Sequence, residues 1–120
     1  MLSEKMNDAL NIQANRELYS SYLYLAMSYY FESINMKGFA HWMRLQAGEE
    51  LVHTMRMLDY AAGKGGRAKM MAVEAPQFTW TSPLQAFQTA SWLRTGAAGP
   101  PQPPICAITR SCGAICSSRW

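Results

Sequence analysis

The first 37 residues contain neither glycine nor proline. Such a stretch lacks the two residues that most often break a helix. Within it, Met6, Leu10, Ala14, Leu18, Leu25 and Tyr29 recur at spacings of four or seven, the period of a helix with one apolar face. Ser3 is placed to cap it, and Glu4 suits the positive end of the helix dipole. These signals predict a helix over residues 4–33. At about 1.5 Å per residue it forms a rod of roughly 45 Å. Rods of that length belong to bundles, coiled coils or membranes, and the broad apolar face favours a bundle.

A short break, Ser33-Ile34-Asn35-Met36-Lys37-Gly38, leads to a second predicted helix over 36–63. Its apolar positions include Phe39, Trp42, Met43, Leu45, Val52, Met55 and Leu58, and Gly63-Lys64-Gly65-Gly66 supplies glycine where a left-handed cap residue is needed. With so short a turn the two helices pack antiparallel. Gly48 inside the second helix costs about 1 kcal/mol relative to alanine. Residues 64–82 read as a connection without strong period, long enough to cross the side of a bundle to a distant corner. Ser82-Pro83-Leu84-Gln85 then opens a third helix over 83–93, with serine as cap, proline at its first position and glutamine completing a capping box. The fold class is all-α.

After Ser91 the composition changes. Gly96, Gly99, Pro100, Pro101, Pro103 and Pro104 exclude a regular helix, and no acid follows Glu74. Residues 1–94 read as a helical domain and 95–120 as an irregular or disordered tail. Cys106, Cys112 and Cys116 all lie in that tail. An odd number of cysteines without a secretory signal is not a disulfide framework, and three thiolates without a neighbouring histidine make a weak metal site.

Charge narrows the partners. Residues 1–90 hold eight acids and eight Lys/Arg, so Arg94, Arg110 and Arg119 supply the whole net charge of +3. This balance argues against a nucleic-acid partner, which needs a clustered basic face. No apolar run reaches the ~18 residues of a membrane span. The N-terminus, with Glu4, Lys5, Asn7 and Asp8, has no apolar segment of a secretory signal. The reading is a cytoplasmic protein that engages no membrane.

The chemistry lies in Gly48-Glu49-Glu50-Leu51-Val52-His53-Thr54-Met55. Glu50 and His53 are three apart, so one helix aims a carboxylate and an imidazole at one spot. That pair suits iron, manganese or zinc, and Glu-x-x-His is the unit that di-iron bundles use. Alone it reads equally as a solvated glutamate beside a locally bonded histidine. Glu17 shifts the balance, because it lies among Leu18, Tyr19, Tyr22, Leu23 and Leu25, where a carboxylate is costly unless paired or metal-bound. With the helices antiparallel, Glu17 meets Glu50. The roles expected are Glu50 bridging two irons, Glu17 as terminal ligand and His53 as neutral nitrogen ligand.

Tyr24, two turns beyond Glu17, is either a donor of a hydrogen bond or an electron near the metal or an ordinary core tyrosine. Glu49 points about 100° from Glu50 and serves a peripheral metal, an entry route or plain surface charge. His41 reads as surface. Met55, Met57, Met70 and Met71 read as packing, and Lys64, Arg67 and Lys69 as a solvated loop.

With these residues in place the chain resembles the bacterial and archaeal non-haem ferritins. The resemblance lies in Asn15-Arg16-Glu17-Leu18-Tyr19-Ser20, in SYLYLAMSYYFESINMKGFAHWM, in QAGEELVHTMRMLDY, in GGRAKMMAVEAP and in the helix start WTSPLQAF, over about 90 residues. It implies a ferritin-like four-helix bundle with a long crossover between its second and third helices. It also implies a short fifth helix and a homo-oligomeric hollow shell of 24 subunits. The activity implied is iron storage with ferroxidase chemistry: Fe(II) is oxidised to Fe(III) by dioxygen or peroxide at an intrasubunit di-iron centre. By position, Glu17, Glu50 and His53 match ferroxidase ligands, and Tyr24 and Glu49 match accompanying residues. The family's third-helix glutamate corresponds to Trp92-Leu93-Arg94, with arginine at the matching position, and its fourth helix has no counterpart. The composition after about Ala90 is that of a ferritin reading truncated or shifted in frame. The alternative is therefore a catalytically incomplete ferritin fragment, acting as a helical assembly or weak iron-binding module. A rubrerythrin-like peroxidase fits less well, since it calls for further Glu-x-x-His units and for paired Cys-x-x-Cys knuckles.

Overall fold

The computed structural model describes residues 1–95, with the side chains described through Arg94. Three helices follow one another: α1 (Glu4–Ser33), α2 (Lys37–Gly63) and α3 (Pro83–Thr95). No strand occurs among the described residues, so the chain is all-α. It divides into two compact units, Met1–Pro83 and Leu84–Trp120. The expected irregular tail over 95–120, with its three cysteines, lies outside the described residues, apart from Thr95 at the end of α3.

The first unit is a long helical hairpin. Ser3 accepts a hydrogen bond from the Met6 amide at 3.3 Å and so caps α1. At the other end Asn35 takes a left-handed conformation, φ 59°. Asparagine is among the few residues that enter this region at little cost. The Met36 amide then bonds the Phe31 carbonyl at 2.9 Å, and the chain reverses into α2.

Where α1 meets α2, small residues set the spacing. Ala14, Ser21 and Ser28 recur every seven residues on α1, and Ala40, Ala47, Thr54 and Ala61 every seven on α2. They pair in opposite order. Ser28 Oγ donates to the Ala40 carbonyl at 2.9 Å and Ser21 Oγ to the Ala47 carbonyl at 2.7 Å; Thr54 Oγ1 donates to the Ala14 carbonyl at 3.4 Å. Each hydroxyl reaches the backbone of the other helix, which only a short side chain at a close approach permits. The period of seven belongs to long helices crossing at about 20°.

This seam departs from the stripe expected from large apolar residues. Met6, Leu25 and Tyr29 on α1 are exposed, as are Phe39, Leu45, Val52 and Met55 on α2. The larger residues that are buried include Tyr24, Met27, Phe31 and Met43. A count of large apolar residues locates every greasy face of a helix, whereas close packing between two helices selects the small ones.

Two asparagines tie the crossover to α1. Buried Asn11 donates to the Arg67 carbonyl at 2.9 Å and accepts from the Lys69 amide at 2.7 Å, while Asn7 Oδ1 accepts from the Arg67 amide at 2.9 Å. The loop read as solvated therefore has exposed basic side chains on an anchored backbone, with Lys69 also paired to Asp8. Gly65 supplies the left-handed turn after α2, φ 77°. A Cβ on Gly66 would lie 2.3 Å from Asn7 Oδ1 and 2.9 Å from the Ala61 carbonyl oxygen, so only glycine fits there.

Residues 64–82 carry no helix or strand. They begin beside the start of α1 and end beside its last turns, where buried Trp80 stands edge-on to Tyr30 at 5.3 Å. Tyr30 meets Phe31, and Phe31 meets Phe39, at 5.4 and 5.6 Å. The connection runs the length of the hairpin. Pro83 opens α3 directly after Ser82, where the sequence predicts it, and the helix continues into the second unit.

Candidate metal centre

The paired small residues fix which parts of α1 and α2 lie opposite each other. Between the Ala14–Thr54 and Ser21–Ala47 pairs, Glu17 comes level with Glu50. The helical repeat then places His53 one turn beyond Glu50 on the same side. His53 Nδ1 lies 3.4 Å from Glu50 Oε2 and 3.9 Å from Glu17 Oε2. One ligand atom from each of the three residues lies within 4.8 Å of the others.

The site is partly sheltered. Both carboxylate side chains are 17% exposed and the imidazole 30%. Gln13 donates to Glu17 Oε1 at 2.7 Å, and Arg16 donates to Gln13 Oε1 at 3.4 Å. Gln13 thus holds one oxygen of Glu17 and leaves the other turned to His53. Thr54 Oγ1 also donates to the Glu50 carbonyl at 3.0 Å, tying that turn of α2. Neither Gln13 nor Thr54 stands out as a site residue in the sequence. Their spacing of four from Glu17 and from Glu50 is the signal that was available.

The other expected residues differ in burial. Tyr24 is fully buried, two turns along α1 from Glu17. Glu49 is exposed beside Glu50, and His41 is exposed as expected. Two carboxylates and one imidazole form a donor set that suits Fe(II), Mn(II) or Zn(II) better than a soft metal. Its two negative charges match one divalent cation.

Comparison with known proteins gives this geometry a context. Residues 7–92 match the family defined by the ferritin-like domain. The chain is similar to the bacterial non-heme ferritin of Bacteroides fragilis (strain 638R), 44% identical over 88 residues that cover 73% of this chain and 55% of the relative. The bacterial non-heme ferritin of Staphylococcus aureus (strain USA300) is 35% identical over 88 residues, covering 73% of this chain and 53% of the relative. The chain thus spans about half the length of these curated relatives. Among solved structures, an open pore ferritin from the hyperthermophilic archaeon Archaeoglobus fulgidus superimposes with a TM-score of 0.78 at 51% identity, covering 80% of this chain and 59% of that one. The matched region runs from the asparagine-anchored start of α1 through the Glu17–Glu50–His53 cluster and into α3, and on that ground the chain belongs to the ferritin-like family.

Proposed function

We propose that this chain handles iron as ferritins do, binding Fe(II) at Glu17, Glu50 and His53 for oxidation to Fe(III) and storage. The observation that carries the reading is the convergence of these three side chains from two helices. Glu50 is the carboxylate that spans two metal positions, Glu17 the terminal ligand and His53 the nitrogen ligand. His53 presents Nδ1 to the carboxylates, so it ligates with that nitrogen deprotonated and its proton on Nε2. Gln13 orients Glu17 by holding its second oxygen. Fe(II) is the substrate and gives up one electron per ion to dioxygen or peroxide. Tyr24 is assigned as the buried neighbour that supplies a hydrogen bond or an electron, and exposed Glu49 as the acid on the approach to the site. Shell assembly and a cytoplasmic location follow from the family reading. Among the described residues no helix is long and apolar enough to cross a membrane, which is compatible with both.

Anaerobic Fe(II) titration of the full chain tests the assignment. Saturable binding lost in Glu50→Ala is the expected result, with oxidation on admitting dioxygen faster than in that variant. Absence of saturable binding sinks the reading. A second reading, an assembly module that binds iron weakly without oxidising it, is favoured by the single three-ligand cluster among the described residues. Binding that depends on Glu50, with an oxidation rate equal to that of Glu50→Ala, selects it.

A further inference from the structure

A carboxylate-bridged di-metal site in a helical bundle takes one Glu from each of two helices and one Glu-x-x-His from each of two others. The hairpin provides one of each: Glu17 on α1 and Glu50 with His53 on α2. Within the 120 residues no acid follows Glu74 and no histidine follows His53, so these residues hold the set once. A second copy of the hairpin contains what is lacking. Brought face to face about a two-fold axis, two copies present each kind of helix twice and supply the complete ligand set. A two-fold interface must be self-complementary, and a site built of two equal halves meets that condition.

The face around the ligands suits such a contact. Phe39 and Tyr60 lie fourteen residues before and seven after His53, so all three share one stripe of α2. Phe39 is 42% and Tyr60 53% exposed. On α1, Met6 sits three turns before Glu17 and is also exposed. Charge gives the pairing a dependence on metal. Two copies bring four carboxylates to one axis, which repel one another when bare and are balanced by two divalent cations.

We infer that two copies of this chain pair hairpin to hairpin about a two-fold axis, and that Glu17, Glu50 and His53 of each complete one di-metal site. This inference rests on the ligand assignment above. Metal binding and self-association are then a single linked equilibrium.

Sedimentation equilibrium of the full chain, with Co(II) as a redox-inert probe, tests it. The expected result is one Co(II) per chain, with an affinity that rises with chain concentration and a dimer tightened by about tenfold or more at saturating Co(II). Tyr60→Glu and Met6→Glu replace exposed residues outside the ligand set, and each weakens dimer and Co(II) binding together while helix content by circular dichroism is unchanged. Co(II) bound by a monomer, with affinity independent of chain concentration, leaves the ligand assignment intact and overturns the pairing. A dimer indifferent to Co(II) and to Glu50→Gln overturns the pairing as well. Lack of saturable Co(II) binding at any chain concentration removes the ligand assignment itself.

Discussion

Ser21 Oγ donates to the main-chain carbonyl of Ala47 at 2.7 Å, and this contact marks the close packing of small residues whose register brings Glu17 level with Glu50. The bond requires α1 and α2 to approach closely, because a serine side chain is short. One turn of slippage between the helices carries a ligand about 5.4 Å along the axis, more than the 4.8 Å within which the three ligand atoms lie. The Glu17–Glu50–His53 cluster therefore depends on small residues, such as Ser21 and Ala47, that are not among its members.

Ala47→Leu puts this to the test. Ala47 is buried in the seam, and added bulk there costs about 1–3 kcal/mol while forcing the helices apart. Denaturant unfolding should show the loss, and metal titration should show weaker binding although every ligand remains. Ser21→Ala removes one hydrogen bond without adding bulk, so its cost is about 1 kcal/mol and its metal affinity stays near that of the parent.

Gln13→Ala frees Oε1 of Glu17 from its 2.7 Å hydrogen bond. Residues that orient a ligand typically contribute about 10–100-fold to affinity, and a loss in that range is expected in a Co(II) titration. The fold is unaffected, since Gln13 lies on the site side of α1, so the unfolding midpoint without metal should barely move.

Gly48 and Gly66 should respond in opposite directions to alanine. A Cβ on Gly48 meets nothing within 4 Å, so Gly48→Ala gains about 1 kcal/mol of helix propensity. Gly66→Ala drives a methyl group into Asn7 and the Ala61 carbonyl, at a cost of about 1–3 kcal/mol. Thermal melts of the two variants against the parent decide both.

Asn11→Ala strips the Arg67 carbonyl and the Lys69 amide of their partner. Leaving such groups unsatisfied costs about 1–3 kcal/mol. The loss is local, so amide hydrogen exchange at Lys69 should accelerate more than exchange in the middle of α2.

Glu32, at the end of α1, has its carboxyl pKa lowered chiefly by the hydrogen bond from Lys37; desolvation opposes this, and the charges of Lys37 and Arg44 lower it further. A lowered folded value means that the unfolded chain binds the proton more readily. The resulting stability is complete above the ordinary carboxylate value of 4.5 and is lost as pH falls through the lower folded value. NMR titration of the Glu32 carboxyl should show the depressed value in the parent and a return upward in Lys37→Gln.

Much of this was readable without coordinates. Helix breakers and caps marked the helices closely, because Ser3, Gly65 and the Ser82-Pro83 pair act on the backbone within a few residues. Glu50 and His53 were readable for the same reason: their spacing on one helix fixes their direction. The buried face was less legible. Met6, Leu25 and Tyr29 carry the stronger apolar signal, yet the seam is made by Ala14, Ser21 and Ser28. Asn7 and Asn11 read as ordinary polar positions, and their bonds to residues some sixty positions away leave no local trace.

The sequence by itself determined the helices, their reversal and the pairing of Glu50 with His53, since each follows from interactions within one or two turns. It also raised the expectation that Glu17 meets Glu50, but only the tertiary structure supplied the register that brings Glu17 within reach, and it alone decided that Gln13 steadies it and that the crossover is anchored to α1 by side-chain amides. Those outcomes depend on the register and distance between helices, which small residues at a period of seven control through close contact rather than through hydrophobicity.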